Sequence, residues 1–220
     1  EGSVLSSSLF SCSEAIGSDV LNAYVTVLKN QGENVICFDV AETTMMFRTS
    51  VAPKMIQHTD ALFFYLKDYH FVLFYYRSSD QSLRVYDSNR VQSIDFTVEL
   101  FQIRDWLAVS ASSVCYVDTL QQKDASDCGV FVMNYARAIV ADRNRLHLHG
   151  FWDCSTAEQV FFLRRKLYWE ICFNLLLEKT DVVNHHHCCR CGNHSFDLSV
   201  LNVSACIIAV RCTERQTLVC

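Results

Sequence analysis

A chain of 220 residues, half of them hydrophobic and a fifth charged, is long enough to bury the core of one domain with a small appendage. That balance excludes a disordered chain, and a formal net charge of −5 argues against a general nucleic-acid binder. No apolar run reaches the roughly 18 residues that a bilayer requires, so neither nucleic acid nor membrane is an expected partner.

The first residues, EGSVLSSSLFSCSEAIGS, lack the charged start and long apolar core of a secretory signal, and a chain beginning on Glu1 is expected to be a fragment or a processed form. Residues 16–30, IGSDVLNAYVTVLKN, predict the first helix, with Val20, Tyr24, Val27 and Leu28 on one face and Ser18 or Asp19 as cap. Gln31-Gly32 ends it. VICFDV (35–40) reads as a short strand or an extended buried segment, and AETTMMFRTS (41–50) as a helix weakened by its threonines. A break is expected near Pro53, the single proline.

From Ala61 the pattern changes to strands. ALFFYL (61–66), HFVLFYYR (70–77) and SLRVYDS (82–88) are aromatic and β-branched, with a polar turn from Ser78 to Gln81. The last two form an antiparallel hairpin, with His70 at the start of one strand and Asp87 at the end of its partner. Antiparallel pairing brings those two ends together. A helix follows from Phe96 to Ser110, with Leu100, Ile103 and Leu107 at spacings of three and four, and then a strand, VCYVDTL (114–120). That strand leads into a polar loop holding Gln122. The helix after Cys128 is apolar almost all round until Arg137 and reads as the central buried helix. The arginine- and histidine-rich run at 142–149 reads as a solvated surface. Ala157 to Lys179 predict the last long helix, with Val160, Leu163, Leu167, Ile171 and Leu175 on one face.

Twelve cysteines point two ways. Cys37, Cys115 and Cys172 lie in apolar segments, as small buried hydrophobes do, whereas the others crowd mostly toward the C-terminus. A reducing intracellular compartment, nucleus or cytoplasm, is the expected setting. Residues 181–220 lack a clear period and pack cysteines and histidines together, and the domain boundary is placed so that 1–180 form one domain. The tail reads as a small subdomain, a docking strand pair or a poorly ordered segment. Cys188, Cys191 and His194 have a zinc-like spacing, with His187, Cys189, Cys206 or Cys212 to complete four ligands. No second pair at matching spacing follows, so no metal is assigned.

The chemistry gathers around Cys128. A thiol between Asp127 and Gly129, at the mouth of a helix, faces the N–H groups and the positive end of the macrodipole, which favour the thiolate. Gln122, six residues earlier, is near enough for its amide to stabilise an oxyanion. With His70 to take the thiol proton and Asp87 to orient the imidazole, the set forms a nucleophile–base–orienter arrangement. Asp127 carries a charge that opposes a thiolate, so it is read as a helix N-cap or a surface acid.

The block Gln122, Asp127-Cys128-Gly129-Val130-Phe131, the hairpin with His70 and Tyr86-Asp87-Ser88, and the helix IGSDVLNAYVTVL resemble the Ulp/SENP-type cysteine proteases. The resemblance runs from about Ile16 to Lys179. It implies an α+β, papain-like fold, a mixed sheet flanked by helices. It also implies Cys128 as nucleophile, His70 as base, Asp87 as orienter, and Gln122 as oxyanion donor with the Cys128 backbone N–H. The partner it implies is a ubiquitin-like modifier (SUMO, NEDD8 or ubiquitin) and its conjugates, and no cofactor is required. In that family two tryptophans roof a tunnel that clamps the modifier's Gly-Gly tail; Ile16 and Phe71 stand at those positions as substrate-binding residues and make a smaller clamp. Alternative readings are a deubiquitinase or an acyltransferase with the same triad, the latter disfavoured by Asp rather than Glu at position 87. A catalytically silent modifier-binding module is a further one.

Overall fold

Alternating aromatic and β-branched residues build a mixed five-stranded sheet whose spatial order follows the chain. The strands are β1 (Val35–Phe38), β2 (Asp60–Lys67), β3 (His70–Arg77), β4 (Ser82–Tyr86) and β5 (Val114–Tyr116). β1 pairs parallel to β2, β2 with β3 and β3 with β4 are antiparallel, and β5 lies parallel to β4. The computed structural model describes residues 14–31, 34–51, 58–92, 94–108, 110, 113–143, 155–174, 176, 184–187 and 194–197. Pro53 and most of the 142–149 run lie outside them.

The period of two along β2 and β3 divides the core. Leu62, Phe64, Leu73 and Tyr75 join one cluster, and Ala61, Phe63, Val72, Phe74 and Tyr76 join another. The first cluster takes in α1 (Ser18–Asn30), α4 (Cys128–Arg143) and α5 (Ala157–Phe173). The second takes in α2 (Val40–Thr49) and α3 (Thr97–Leu107). Both faces of the central strands are therefore dry, and each fully buried phenylalanine contributes roughly 1.5–3 kcal/mol.

Two tight connections set the hairpins. Lys67 pairs with His70 across Asp68-Tyr69, both at positive φ (50° and 63°), so the turn follows the right-handed strand twist. Arg77 pairs with Ser82 across the polar turn that the sequence predicted. β4 stops at Tyr86, which leaves Asp87 just past the strand.

Helix ends differ in detail from expectation. Gly17, not Ser18 or Asp19, is the N-cap of α1 and makes no side-chain cap; Asp19 sits in the first turn, where its charge suits the dipole. α2 forms despite its threonines because Asp39 and Glu42 make a capping box, with bonds of 2.8 and 2.9 Å. α3 stops at Leu107 and α5 at Phe173, where Ala108 and Asn174 turn left-handed and cap the preceding carbonyls. Of the three cysteines expected inside, Cys37 is buried but Cys115 and Cys172 are exposed. Cys115 lies on the three-residue strand β5, which is buried on neither side, and Cys172 in the outer part of the last turn of α5.

The chain divides into two compact units, Glu1–Leu177 and Glu178–Cys220. In the second, β6 (Asn184–His187) and β7 (His194–Asp197) form an antiparallel pair. The cysteines of the candidate zinc set lie outside the described residues, and among the described residues no metal-holding cluster occurs. No helix among the described residues is long and apolar enough to cross a membrane.

Candidate active site

His70 opens β3 and Asp87 follows β4, and the register Leu73↔Tyr86 brings the two residues to one end of this interior strand pair. The Nε2 of His70 lies 2.7 Å from Oδ1 of Asp87, and both side chains are buried. Cys128, the first residue of α4, lies beside the same imidazole and helps to raise its pKa. With Nε2 on the carboxylate, Nδ1 is the nitrogen left for sulfur. Cys128 sits on a rigid support, since α4 is buried from Cys128 to Ala141.

Burial alone would drive the His70 ring toward its neutral form. The interactions with Asp87 and Cys128 outweigh that cost and raise its pKa to about 9. Asp87 responds in the opposite sense. Burial disfavours its charge, yet the His70 ring and the Asn89 N–H, at 2.8 Å, hold its carboxyl below the usual carboxylate range. Its main-chain oxygen accepts from Thr119 Oγ1 (2.7 Å) and Gln121 Nε2 (3.1 Å), so the acid is clamped from both ends.

Gln122 is half-buried beside the same segment. Its backbone N–H donates to the Ser88 carbonyl at 2.8 Å. Its side-chain oxygen accepts from Ser88 Oγ at 2.6 Å, and its Nε2 donates to the Asp124 carbonyl at 2.7 Å.

Asp127 is buried, which corrects its reading as a surface acid. Its carbonyl accepts the Phe131 N–H, the first bond of α4, while its carboxylate receives Nε and Nη2 of Arg164 at 3.1 and 2.5 Å. Arg164 is itself fully buried and also donates to the carbonyls of Ser126 (3.3 Å) and Glu14 (2.9 Å). One guanidinium thus ties the nucleophile loop to the segment that leads into Ile16.

Ile16 and Phe71 are buried together over the nucleophile helix. A Cβ placed on Gly129 would lie 3.1 Å from Ile16 Cβ and 3.4 Å from Phe71 Cδ2. The glycine lets these two side chains settle against the backbone beside Cys128.

The structure therefore brings together His70, Asp87 and Cys128, holds Gln122 on the Asp87–Ser88 segment, and packs Ile16 with Phe71 on Gly129. Sequence reasoning gave no role to Ser88, which it named only within a motif, or to Thr119, Gln121 and Arg164. Arg164 carried a signal: it lies four residues after Val160 and three before Leu167, on the apolar stripe of its helix, where a charge demands a partner.

No protein-family model matches the sequence, and no curated protein matches it. Solved structures do match in fold. The C-terminal Ulp1 protease domain in complex with Smt3, the yeast ortholog of SUMO, has a TM-score of 0.54 at 13% identity, over 73% of this chain and 77% of that one. Ulp1 with its catalytic cysteine oxidised to a sulfenic acid gives 0.56 at 12% identity, over 77% and 80%. The catalytic domain of the Ulp1-like SUMO protease of Chaetomium thermophilum gives 0.52 at 14% identity, over 76% and 75%. The chain has the α+β fold of the Ulp1 cysteine proteases, a mixed sheet flanked by helices.

Proposed function

We propose that the protein is a thiol peptidase that cleaves the bond after the C-terminal glycine of a ubiquitin-like modifier, either in a conjugate or in a precursor. The observation that carries the reading is the buried His70–Asp87 bond of 2.7 Å, with Cys128 on the same ring. The likeness in fold to the Ulp1 domain solved with Smt3 supports the class of substrate.

His70 takes the Cys128 proton through Nδ1, and Asp87 stabilises the resulting imidazolium. The sulfur attacks the glycine carbonyl carbon, and the charge on oxygen is met by the Cys128 N–H and the Gln122 amide. The C–N bond breaks as His70 returns its proton to the leaving amine, which leaves a thioester on Cys128. Water then attacks that thioester with His70 again as base, and the sulfur departs with the modifier's carboxylate released. Ile16 and Phe71 form the roof beneath which the modifier's tail enters.

Hydrolysis of SUMO, NEDD8 and ubiquitin carrying a C-terminal aminocoumarin tests the reading. Release of the fluorophore from one of them, abolished by Cys128→Ala, supports it and identifies the modifier. Release from ubiquitin alone would make the protein a deubiquitinase. No release from any would favour the silent modifier-binding reading.

A further inference from the structure

The orientation of the Gln122 amide can be worked out from its neighbours. A primary amide offers an acceptor oxygen at one end and a two-proton nitrogen at the other. The end facing the Asp124 carbonyl at 2.7 Å has to be the nitrogen, because a carbonyl oxygen there would meet a second oxygen with no proton between them. The other end, 2.6 Å from Ser88 Oγ, is then the oxygen, and Ser88 has to donate. Ser88 is fully buried and has no solvent to bond instead. Its carbonyl also accepts the Gln122 backbone N–H at 2.8 Å, so the two residues are tied at main chain and side chain alike.

With one N–H of Nε2 on Asp124 and the amide oxygen on Ser88, the amide plane is fixed and the second N–H has one direction left. We infer that Ser88 is a positioning residue that sets which face of the Gln122 amide is presented to the developing oxyanion. The inference rests on the reading of Gln122 as oxyanion donor. It adds a link between the two halves of the chemistry: Asp87, which orients the base, and Ser88, which orients the oxyanion donor, are consecutive residues on one clamped segment. Without the hydroxyl, the amide oxygen loses its donor and the side chain gains rotational freedom, which a preorganised site has to remove again in the transition state.

Two reactions of Cys128 separate this role from a structural one. Alkylation by iodoacetamide uses the thiolate and develops no oxyanion. Acetyl transfer from p-nitrophenyl acetate moves the acetyl group to sulfur with loss of p-nitrophenolate, and it passes through an oxyanion. Ser88→Ala is expected to slow acylation about tenfold, while Gln122→Ala, which removes the donor itself, slows it about 100-fold. Alkylation should stay within about twofold of the parent in both, since the nucleophile and base are untouched. In the Gln122→Ala background, Ser88→Ala should cost nothing further.

An unchanged acylation rate in Ser88→Ala would overturn the inference. So would a loss that persists without Gln122, or an equal loss in alkylation. An unchanged rate in Gln122→Ala would instead overturn the reading of Gln122, and acylation no faster than in Cys128→Ala would overturn the proposed reaction.

Discussion

Arg164 closes a two-pronged ion pair on Asp127, the residue before Cys128, and both partners are buried. Sequence logic marks Asp127 as unfavourable beside a thiolate; the structure shows its charge matched by a guanidinium that also holds the Ser126 and Glu14 carbonyls. Arg164→Met leaves a carboxylate buried without its partner and is expected to lower stability by about 3–5 kcal/mol. Arg164→Met with Asp127→Leu removes both charges and should recover most of that loss. Denaturant unfolding of the parent and the two variants measures it, and a double variant no more stable than the single one would contradict the assignment.

The His70 pair sets a pH window. The folded-state pKa of about 9 stands above the ordinary 6.5, so the stability it contributes is complete below about 6.5 and is lost as pH rises through about 9. Turnover should fall over the same alkaline range, as the imidazolium that partners the sulfur is lost. Asp87→Asn removes the carboxylate that does most to raise the ring's pKa and leaves only Cys128 to oppose burial. The alkaline limb of kcat/KM should then move to lower pH, and a limb that stays in place would show that Asp87 does not set it.

A second buried charge network joins three helices away from the triad. Tyr24 of α1 donates to Glu170 of α5 at 2.6 Å, and Arg137 of α4 donates to the other carboxylate oxygen at 2.9 Å. Tyr24→Phe should cost about 1.5–3 kcal/mol, the range for a hydrogen bond to a charged group. Glu170→Leu should cost about 3–5 kcal/mol, because it leaves the Arg137 charge buried without its carboxylate. Thermal melts rank the two, and the reverse order would contradict this account.

The packing of Ile16 on Gly129 predicts a coupling. Gly129→Ala pushes a methyl to 3.1 Å from Ile16 Cβ, and overpacking of this kind costs about 1–3 kcal/mol. Ile16→Gly removes that Cβ, so its own cost should be smaller in the Gly129→Ala background than in the parent. A double-mutant cycle in unfolding free energy reads the coupling, and strict additivity would show that Ile16 and Gly129 do not share the contact.

Much of this was legible in the residues. The hairpin of β3 and β4 follows from two strand-like runs around a polar turn, and antiparallel pairing alone brings His70 near Asp87. Cys128 at a helix start and the buried character of α4 were equally plain, since an apolar run with no polar face has nowhere else to go. What escaped was long-range pairing of polar groups. Arg164 lies 37 residues from Asp127 and Glu170 lies 146 from Tyr24. Periodicity shows that such a charge is buried but not what neutralises it. Ser88 escaped for another reason: its role depends on which end of one amide faces a backbone carbonyl, and a serine after an aspartate carries no trace of that. Cys115 was misread because an apolar neighbourhood in sequence does not tell a covered strand from an edge.

In the proposed reaction Cys128, activated by His70 and Asp87, attacks the C-terminal carbonyl of a ubiquitin-like modifier. Incubation with SUMO, NEDD8 and ubiquitin carrying a C-terminal propargylamide, followed by intact-mass analysis and peptide mapping, tests it most directly. The account predicts one covalent adduct with at least one modifier, mapped to Cys128, absent in Cys128→Ala and strongly slowed in His70→Ala. No adduct with any of the three, or an adduct on a cysteine other than Cys128, would contradict it.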